Sequence, residues 1–469
     1  MSLIYLLPKI IHESKKAYEE IMKKDFSGSY TLREITGGKN DEHETPGNML
    51  ARGDNLSFMR FLMGEKNLPG KLKMIYIDPP FYTKAQYGAE FKLQSDKLST
   101  IPAMKQKAYN DTWDEGMEEY LKMLGVRLML MRDLLADDGS IFVHLDWHAV
   151  HYVKVLMDEI FGEKNFVNEI IWQYKSGGVS KRRFARKHDT ILFYGKTEGY
   201  YFMPLQEKSY NRGYKPYRFK GVKEYRDELG WYTMVNRKDV WQIDMVGRTS
   251  AERTGYVTQK PESLIERILE SCTEEGDICA DFFGGSGTMA AAAESMGRRW
   301  ITCDIGRLAA INSHKRLIDS GAAYSVYEES GSPGEDDKGS RGKGCGLDAD
   351  AAINRDLLWD KMLLRVELKD YKRDSAADLP VEEKFLPVIE KIMKEDPLQF
   401  VAYWSIDYAY RDGINRPDVY LCRDAKGLEI VHEAMGSSFG PLLIKAVDIF
   451  GNSAELLLET HLDPDPHRQ

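Results

Sequence analysis

Residues Lys73 to Thr83 read Lys-Met-Ile-Tyr-Ile-Asp-Pro-Pro-Phe-Tyr-Thr, and no other stretch constrains the chain as tightly. An apolar, strand-like run stops at two adjacent prolines, which lack amide hydrogens and fix φ, so the strand must end there. What remains is a stiff corner whose carbonyls are free to accept hydrogen bonds. Asp78, Pro79, Pro80 and Phe81 set a carboxylate, backbone carbonyls and an aromatic face side by side. That combination can grip a planar ring bearing an amino group, with acceptors aimed at the amine and the aromatic against the ring. A lone Asp-Pro-Pro is more often a strand meeting a turn, so the rest of the chain must decide.

Around this corner the hydrophobic pattern alternates. Helical spacing over 10–24 is followed by a turn at Gly53, Asp54 and Asn55, where Asp54 reads as the N-cap of a helix over 56–63. Residues 84–112 are polar, carry Gly88 and Pro102, and show no period, which reads as a long loop acting as a lid or substrate contact. A helix over 120–135, a buried strand over 140–145, a helix over 151–161 and strands over 168–174 and 189–195 follow. Strands alternating with helices imply a mostly parallel sheet wrapped by helices, and such sheets bind ligands at the carboxyl ends of their strands, where Asp78 lies.

The chain has 469 residues, room for two or three domains of about 100–200 residues each. No run approaches the roughly 18 apolar residues of a membrane span, and the expected location is cytoplasmic. The five cysteines are scattered without a Cys-x-x-Cys pair, which argues against a disulfide framework or a zinc cluster. A net charge of -9 does not by itself suggest a nucleic-acid partner. Between Gln173 and Arg226, however, fourteen Lys/Arg face four Asp/Glu, a local balance of +10 interleaved with aromatics such as Tyr174, Phe184, Tyr210 and Tyr217. Basic side chains with aromatics between them suit phosphate contacts and base stacking, and Lys181, Arg182, Arg183, Arg186 and Lys187 are the densest part.

A second decisive stretch runs from Asp277 to Asp304. A buried strand over 278–283, including Asp281 and Phe283, leads into the tight turn Gly284, Gly285, Ser286, Gly287 and Thr288. A helix of small residues and a second strand ending in Asp304 come next. Glycines let backbone approach a ligand at a helix N-terminus, and an acid closing the next strand can bind ribose hydroxyls. Taken alone, Gly285, Gly287 and Ala290 also satisfy the G-x-G-x-x-A dinucleotide pattern, so a nicotinamide dehydrogenase stays open at this point.

The two sites together, with the basic block between them and Thr258, Gln259, Lys260 and Pro261 just ahead of the glycine strand, resemble the amino-group DNA methyltransferases. The order resembles their β class, in which the Asp-Pro-Pro-aromatic motif precedes the recognition region and the cofactor motif comes last. The likeness covers about Met49 to Asp319 and is nearest to the Mod-like adenine methylases of restriction-modification systems. It implies an α/β fold, a Rossmann-like S-adenosylmethionine-dependent methyltransferase sheet in permuted motif order. It implies catalytic roles for Asp78, Pro79, Pro80 and Phe81, with S-adenosylmethionine bordered by Asp54, Lys260, Pro261, Asp281, Phe283, Gly284, Gly285, Ser286, Gly287, Thr288 and Asp304. Phe81 stands where the family more commonly has Tyr. Asp rather than Ser at position 78 favours adenine N6 in the family pattern, with cytosine N4 as the alternative. The implied partners are double-stranded DNA, a restriction subunit and a second copy of the chain.

On this basis residues 1–48 form an N-terminal helical extension and 49–327 the catalytic domain, with target recognition at 175–256. Glycine-rich 328–346 is a linker. Residues 347–469 are expected to form a β-rich domain, a sandwich used for docking, with strands at 364–368, 398–406 and 419–422, a helix within 380–394 and a hairpin over 442–460.

Overall fold

The computed structural model describes residues 3–37, 47–83, 86–91, 93, 104–111, 113, 116–175, 181–247, 249–331, 345–356, 361–377, 379–424 and 426–459. In chain order, α1 (Leu3–Lys23), β1 (Tyr30–Thr36), β2 (Met49–Arg52), α2 (Asn55–Gly64) and β3 (Leu72–Ile77) lead to the proline corner. A hairpin of β4 (Gln86–Phe91) and β5 (Met104–Asn110) follows. Next come α3 (Met117–Leu134), β6 (Leu135–Leu145), α4 (Val150–Phe161), β7 (Phe166–Gln173) and β8 (His188–Gly195). The short strands β9 (Gln206–Tyr210), β10 (Glu224–Arg226) and β11 (Trp231–Asn236) form their own antiparallel sheet ahead of β12 (Val240–Gln242). The last units of this half are α5 (Glu262–Cys272), β13 (Ile278–Asp281), α6 (Thr288–Ser295), β14 (Arg299–Asp304), α7 (Arg307–Asp319) and β15 (Tyr324–Glu329).

Ten strands make one sheet in the order β1-β15-β2-β14-β13-β3-β6-β8-β7-β12. From β15 to β6 every neighbour is parallel, and β8 runs against β6. Side chains alternate across a strand, and β3 shows what that achieves in a sheet covered on both sides. Ile75 and Ile77 enter one core with Ile10, Phe58, Leu121 and Leu156 from α1 to α4. Met74 and Tyr76 enter the other, with Leu264, Met289 and Leu317 from α5 to α7. Both faces being buried, the strand reads as a continuous apolar run, and β13 and β6 on either side of it hold its carboxyl end in place.

Beyond residue 344, β16 (Cys345–Asp356) and β17 (Lys361–Arg373) pair, and α8 (Leu386–Glu395) precedes β18 (Val401–Asp407), β19 (Val419–Cys422), β20 (Val431–Gly436), β21 (Leu442–Asp448) and β22 (Ser453–Leu458). They build a three-stranded sheet β16-β17-β20 and a four-stranded sheet β19-β18-β21-β22. One core joins them, holding Leu364, Val366 and Leu368 with Ile389, Trp404 and Ile444. The expected linker 328–346 is shorter than its composition suggests: residues 328 and 329 end β15, residues 345 and 346 begin β16, and residues 332–344 lie outside the described residues.

Two further expectations need correction. The N-terminal 48 residues are not only helical: β1 closes the edge of the main sheet by pairing antiparallel with β15. The polar stretch 84–112, whose residues 84, 85, 92, 94–103 and 112 lie outside the described residues, is not simply a loop. The β4–β5 hairpin docks into the C-terminal core, where Leu93 and Met104 are buried, Phe91 meets Phe450 edge-on at 5.5 Å and Gln106 donates to the Ile449 carbonyl at 3.2 Å. Its apolar residues are too few to give a period, and the contacts with Phe450 and Ile449 span more than 300 residues of sequence. Among the described residues no helix is long and apolar enough to cross a membrane.

Candidate active site

The registers bring three acids to one edge. β3 ends beside β13, and β13 beside β14, so Asp78, Asp281 and Asp304 follow or close three neighbouring strands. Between them lies a cavity of about 470 Å3, within the roughly 300–1,000 Å3 typical of small-molecule sites.

Asp78 and Lys260 form an ion pair through Oδ2, and the Lys260 ammonium also sits 5.2 Å from the Phe81 ring centroid. Behind Phe81 lies the ring of His144, 5.8 Å away and 30° from parallel. His144 is itself bonded to the Tyr76 hydroxyl at 2.7 Å. The other carboxylate oxygen of Asp78, Oδ1, is buried without a hydrogen-bond partner. A buried acceptor left unpaired costs about 1–3 kcal/mol, which a ligand donor would recover. The backbone past the prolines is held by Asp111, which is fully buried. Its carboxylate accepts from the Tyr82 and Thr83 amides at 3.0 and 2.7 Å, from the Thr83 hydroxyl at 2.7 Å and from the Trp113 indole at 3.1 Å. These bonds secure Tyr82 at φ 62°, a left-handed conformation that a bulky residue adopts only under such constraint.

The glycine turn forms the opposite wall. A Cβ at Gly284 would stand 2.3 Å from the Thr302 hydroxyl, and Gly285 has φ +51° with its amide donating to Asp304 Oδ2 at 2.9 Å. The Gly306 amide donates to the other oxygen of Asp304 at 2.7 Å. Burial drives the Asp281 carboxyl well above the ordinary carboxylate range, and raises that of Asp304. Asp54 caps α2 as its sequence suggests, accepting from the Ser57 amide, and it also lines the cavity, where Arg127 bonds it at 2.6 Å. Arg127 further bonds Asn55 at 2.5 Å, and Asn55 donates to the Phe282 carbonyl at 2.7 Å. The wall therefore carries the carboxyl groups of Asp54, Asp78, Asp281 and Asp304 against the cations Lys260 and Arg127, while that of Asp111 is taken up by its four hydrogen bonds at the corner. That balance suits a cationic ligand with hydroxyls and disfavours a pyrophosphate.

Of the candidates, Asp54, Asp78 to Phe81, Lys260, Asp281, Phe283 to Ser286, Thr288 and Asp304 line this cavity. Pro261 and Gly287 do not: Pro261 occupies the N-cap of α5, and Gly287 packs against Ser313 of α7. Lys181, Arg182, Arg183, Arg186 and Lys187 lie on the β7–β8 connection, away from the cavity wall. Asp111, Trp113 and Arg127 escaped the sequence reading. Arg127 left a signal, as the lone charge in an apolar stretch from Met123 to Met131. Asp111 stands among polar residues that look like any loop.

A mostly parallel sheet with a glycine turn, a strand-end acid and an acidic, aromatic cavity fits an S-adenosylmethionine-dependent methyltransferase. A family model described as DNA methylase, that of the N6 and N4 methyltransferases, matches residues 72–310, just over half of the 469-residue chain, and the chain belongs to that family. It is 28% identical over 342 residues to the type II methyltransferase M.EcaI of Enterobacter cloacae, covering 60% of this chain and 72% of that one. It is 26% identical over 192 residues to the EcoP15I Mod subunit of a type III restriction-modification enzyme of Escherichia coli, covering 39% of this chain and 29% of the subunit. Among solved structures, an M1.HpyAVI–SAM complex overlaps 57% of this chain and 98% of its own, with 18% identity and a TM-score of 0.37. S-adenosylmethionine is the cofactor, and the dehydrogenase reading falls.

Proposed function

We propose that the chain methylates the N6 amine of adenine in duplex DNA, as the modification component of a restriction-modification system. The observation that carries this is the unequal carboxylate of Asp78, one oxygen held by Lys260 and the other buried without a donor beside Phe81. An exocyclic base amine supplies the missing donor, and the base ring finds the Phe81 face. S-adenosylmethionine supplies an electrophilic methyl group. The residues of the chain do the rest. Asp78 Oδ1 and the Pro79 carbonyl accept from the amine hydrogens and favour a pyramidal nitrogen whose lone pair is free to attack; once methylated, the nitrogen releases one of those hydrogens as a proton toward these acceptors. Lys260 fixes the carboxylate, and Asp111 fixes the corner that carries Phe81. A base inside a duplex cannot reach this cavity, so it must be turned out of the stack. Asp at position 78 supports adenine over cytosine.

The basic, aromatic connection at 181–187 and the β9–β11 sheet support contact with the duplex. Similarity to a Mod subunit supports assembly with a restriction subunit. Incubation with tritiated S-adenosylmethionine and mixed-sequence duplex DNA, followed by nucleoside digestion and chromatography, tests the reading. Label in N6-methyladenine is expected. Label in N4-methylcytosine alone would replace adenine by cytosine.

A further inference from the structure

We infer that Trp147 and Arg186 form a stacking wedge that occupies the duplex where the target base has been turned out. The inference rests on the base-flipping reading given under Proposed function. The registers place both residues at the catalytic edge. Ile77 of β3 pairs with Val143 of β6, so Trp147, two residues past the end of β6, emerges beside the corner that follows Ile77. Leu145 of β6 pairs with Thr190 of β8, so the connection carrying Arg186 comes down onto the same edge.

There Arg186 lies over the indole of Trp147, and the His148 ring packs against it at a tilt. The guanidinium carbon of Arg186 lies 3.5 Å from the Trp147 ring centroid, which at that distance puts it over the face of the ring. The His148 ring centroid is 3.7 Å from that of Trp147, with the planes 37° apart. Asp146 fixes His148 by accepting from its amide at 2.8 Å and bonding its Nδ1 at 2.6 Å. These separations are close to the ~3.4 Å rise between stacked bases. Trp147 is nonetheless 45% exposed, and Phe184, two residues before Arg186, is 99% exposed. A large indole kept at the surface and capped by an exposed planar cation, on a connection that also carries the exposed Arg182 and Arg183, lets the guanidinium plane backed by the indole continue a base stack next to a phosphate backbone. Planar side chains inserted at a base step offset the cost of unstacking. The wedge thus acts on flipping, while phosphate contacts act on docking.

The test separates the two. Modified-base sequencing of DNA from a host expressing the protein gives the target sequence. Duplexes are then made with 2-aminopurine at the target position, or with pyrrolo-cytosine if the target is a cytosine. Binding is read by anisotropy, and flipping by the fluorescence rise at saturating protein. Wild type should bind and brighten the probe. Trp147→Ala, Arg186→Ala and the charge-preserving Arg186→Lys should bind within about fivefold yet lose most of the rise, and Trp147→Phe should keep most of it. Equal brightening by all variants overturns the wedge. So does weaker binding with normal brightening at saturation, which would make Arg186 a phosphate contact only. If wild type methylates DNA without brightening the probe, flipping itself fails and the wedge with it. If wild type methylates no DNA, the functional reading fails first.

Discussion

The carboxylate of Asp78 has two unlike oxygens, and the role proposed for it follows from the difference. Lys260 neutralises one and leaves the other, buried, for a donor from outside the chain. Asp78→Ala is expected to lower methyl transfer by about a hundredfold or more, the usual effect of removing a positioned polar group. S-adenosylmethionine affinity by calorimetry should stay within a few-fold, and retention of a tenth of the activity would remove Asp78 from the mechanism. Asp281 makes a different prediction. Burial holds its folded pKa well above its unfolded value of about 4. The native state therefore binds more protons, and stability is lost as pH rises from about 4 through the folded pKa. Asp281→Asn should thus melt at a higher temperature than wild type at pH 7 without cofactor, with the gap closing near pH 4. A gap that does not change across that range would mean that ionising Asp281 costs the fold nothing. Asp78 and the glycine turn were legible because prolines and glycines restrict backbone in known ways. Asp111 was not, since its partners Tyr82, Thr83 and Trp113 are identified only by the folded corner.

At the scale of elements, β3, β6, β7, β8, β13 and β14 of the main sheet were legible because their apolar runs alternate with helices that carry their own period, whereas β1, β2, β12 and β15 were not expected. β7 and β8 fall within about two residues of the expected 168–174 and 189–195. The β7–β8 connection could be recognised only by its charge. Its place above the catalytic edge comes from the antiparallel pairing of β8 with β6, which no local pattern reveals. If Arg182 and Arg183, both exposed, neutralise phosphates there, changing both to Ala should weaken DNA binding by a similar factor for every sequence. It should also flatten the slope of log affinity against log salt by about one unit per lost contact, with cofactor affinity unchanged. A salt titration of wild type and double variant decides this, and parallel slopes would reduce the two arginines to a solvated face.

At the scale of the molecule, the C-terminal strands meet the catalytic half at α7, where Arg307 bonds Asn452 and Lys315 bonds the Arg423 carbonyl, and, among the described residues, through two further ties. One tie is Glu34 of β1, a buried carboxylate that accepts from Lys445 at 2.7 Å, Tyr420 at 2.6 Å and Asn415 at 2.9 Å, with His314 of α7 at 3.1 Å. The other is the β4–β5 hairpin, which leaves the proline corner, buries Phe91, Leu93 and Met104 against the C-terminal core, and returns at Asp111 to clamp the backbone it left. Neither tie could be read from the sequence, because each joins residues hundreds of positions apart. The second has a consequence for catalysis. Phe91→Ala removes the ring that meets Phe450 and should free the hairpin, and with it Asp111, while leaving the sheet and the glycine turn intact. The turnover number is expected to fall about tenfold or more, with the KM for S-adenosylmethionine nearly constant, because the loss acts on the corner and not on the cofactor wall. Val419→Ala, in the same core but on β19, two strands from β21, serves as the control. It should cost comparable stability by thermal unfolding and leave turnover near wild type. If both variants lower turnover alike, the C-terminal strands support the catalytic half only through general stability. If neither does, Asp111 holds its corner without help from the hairpin.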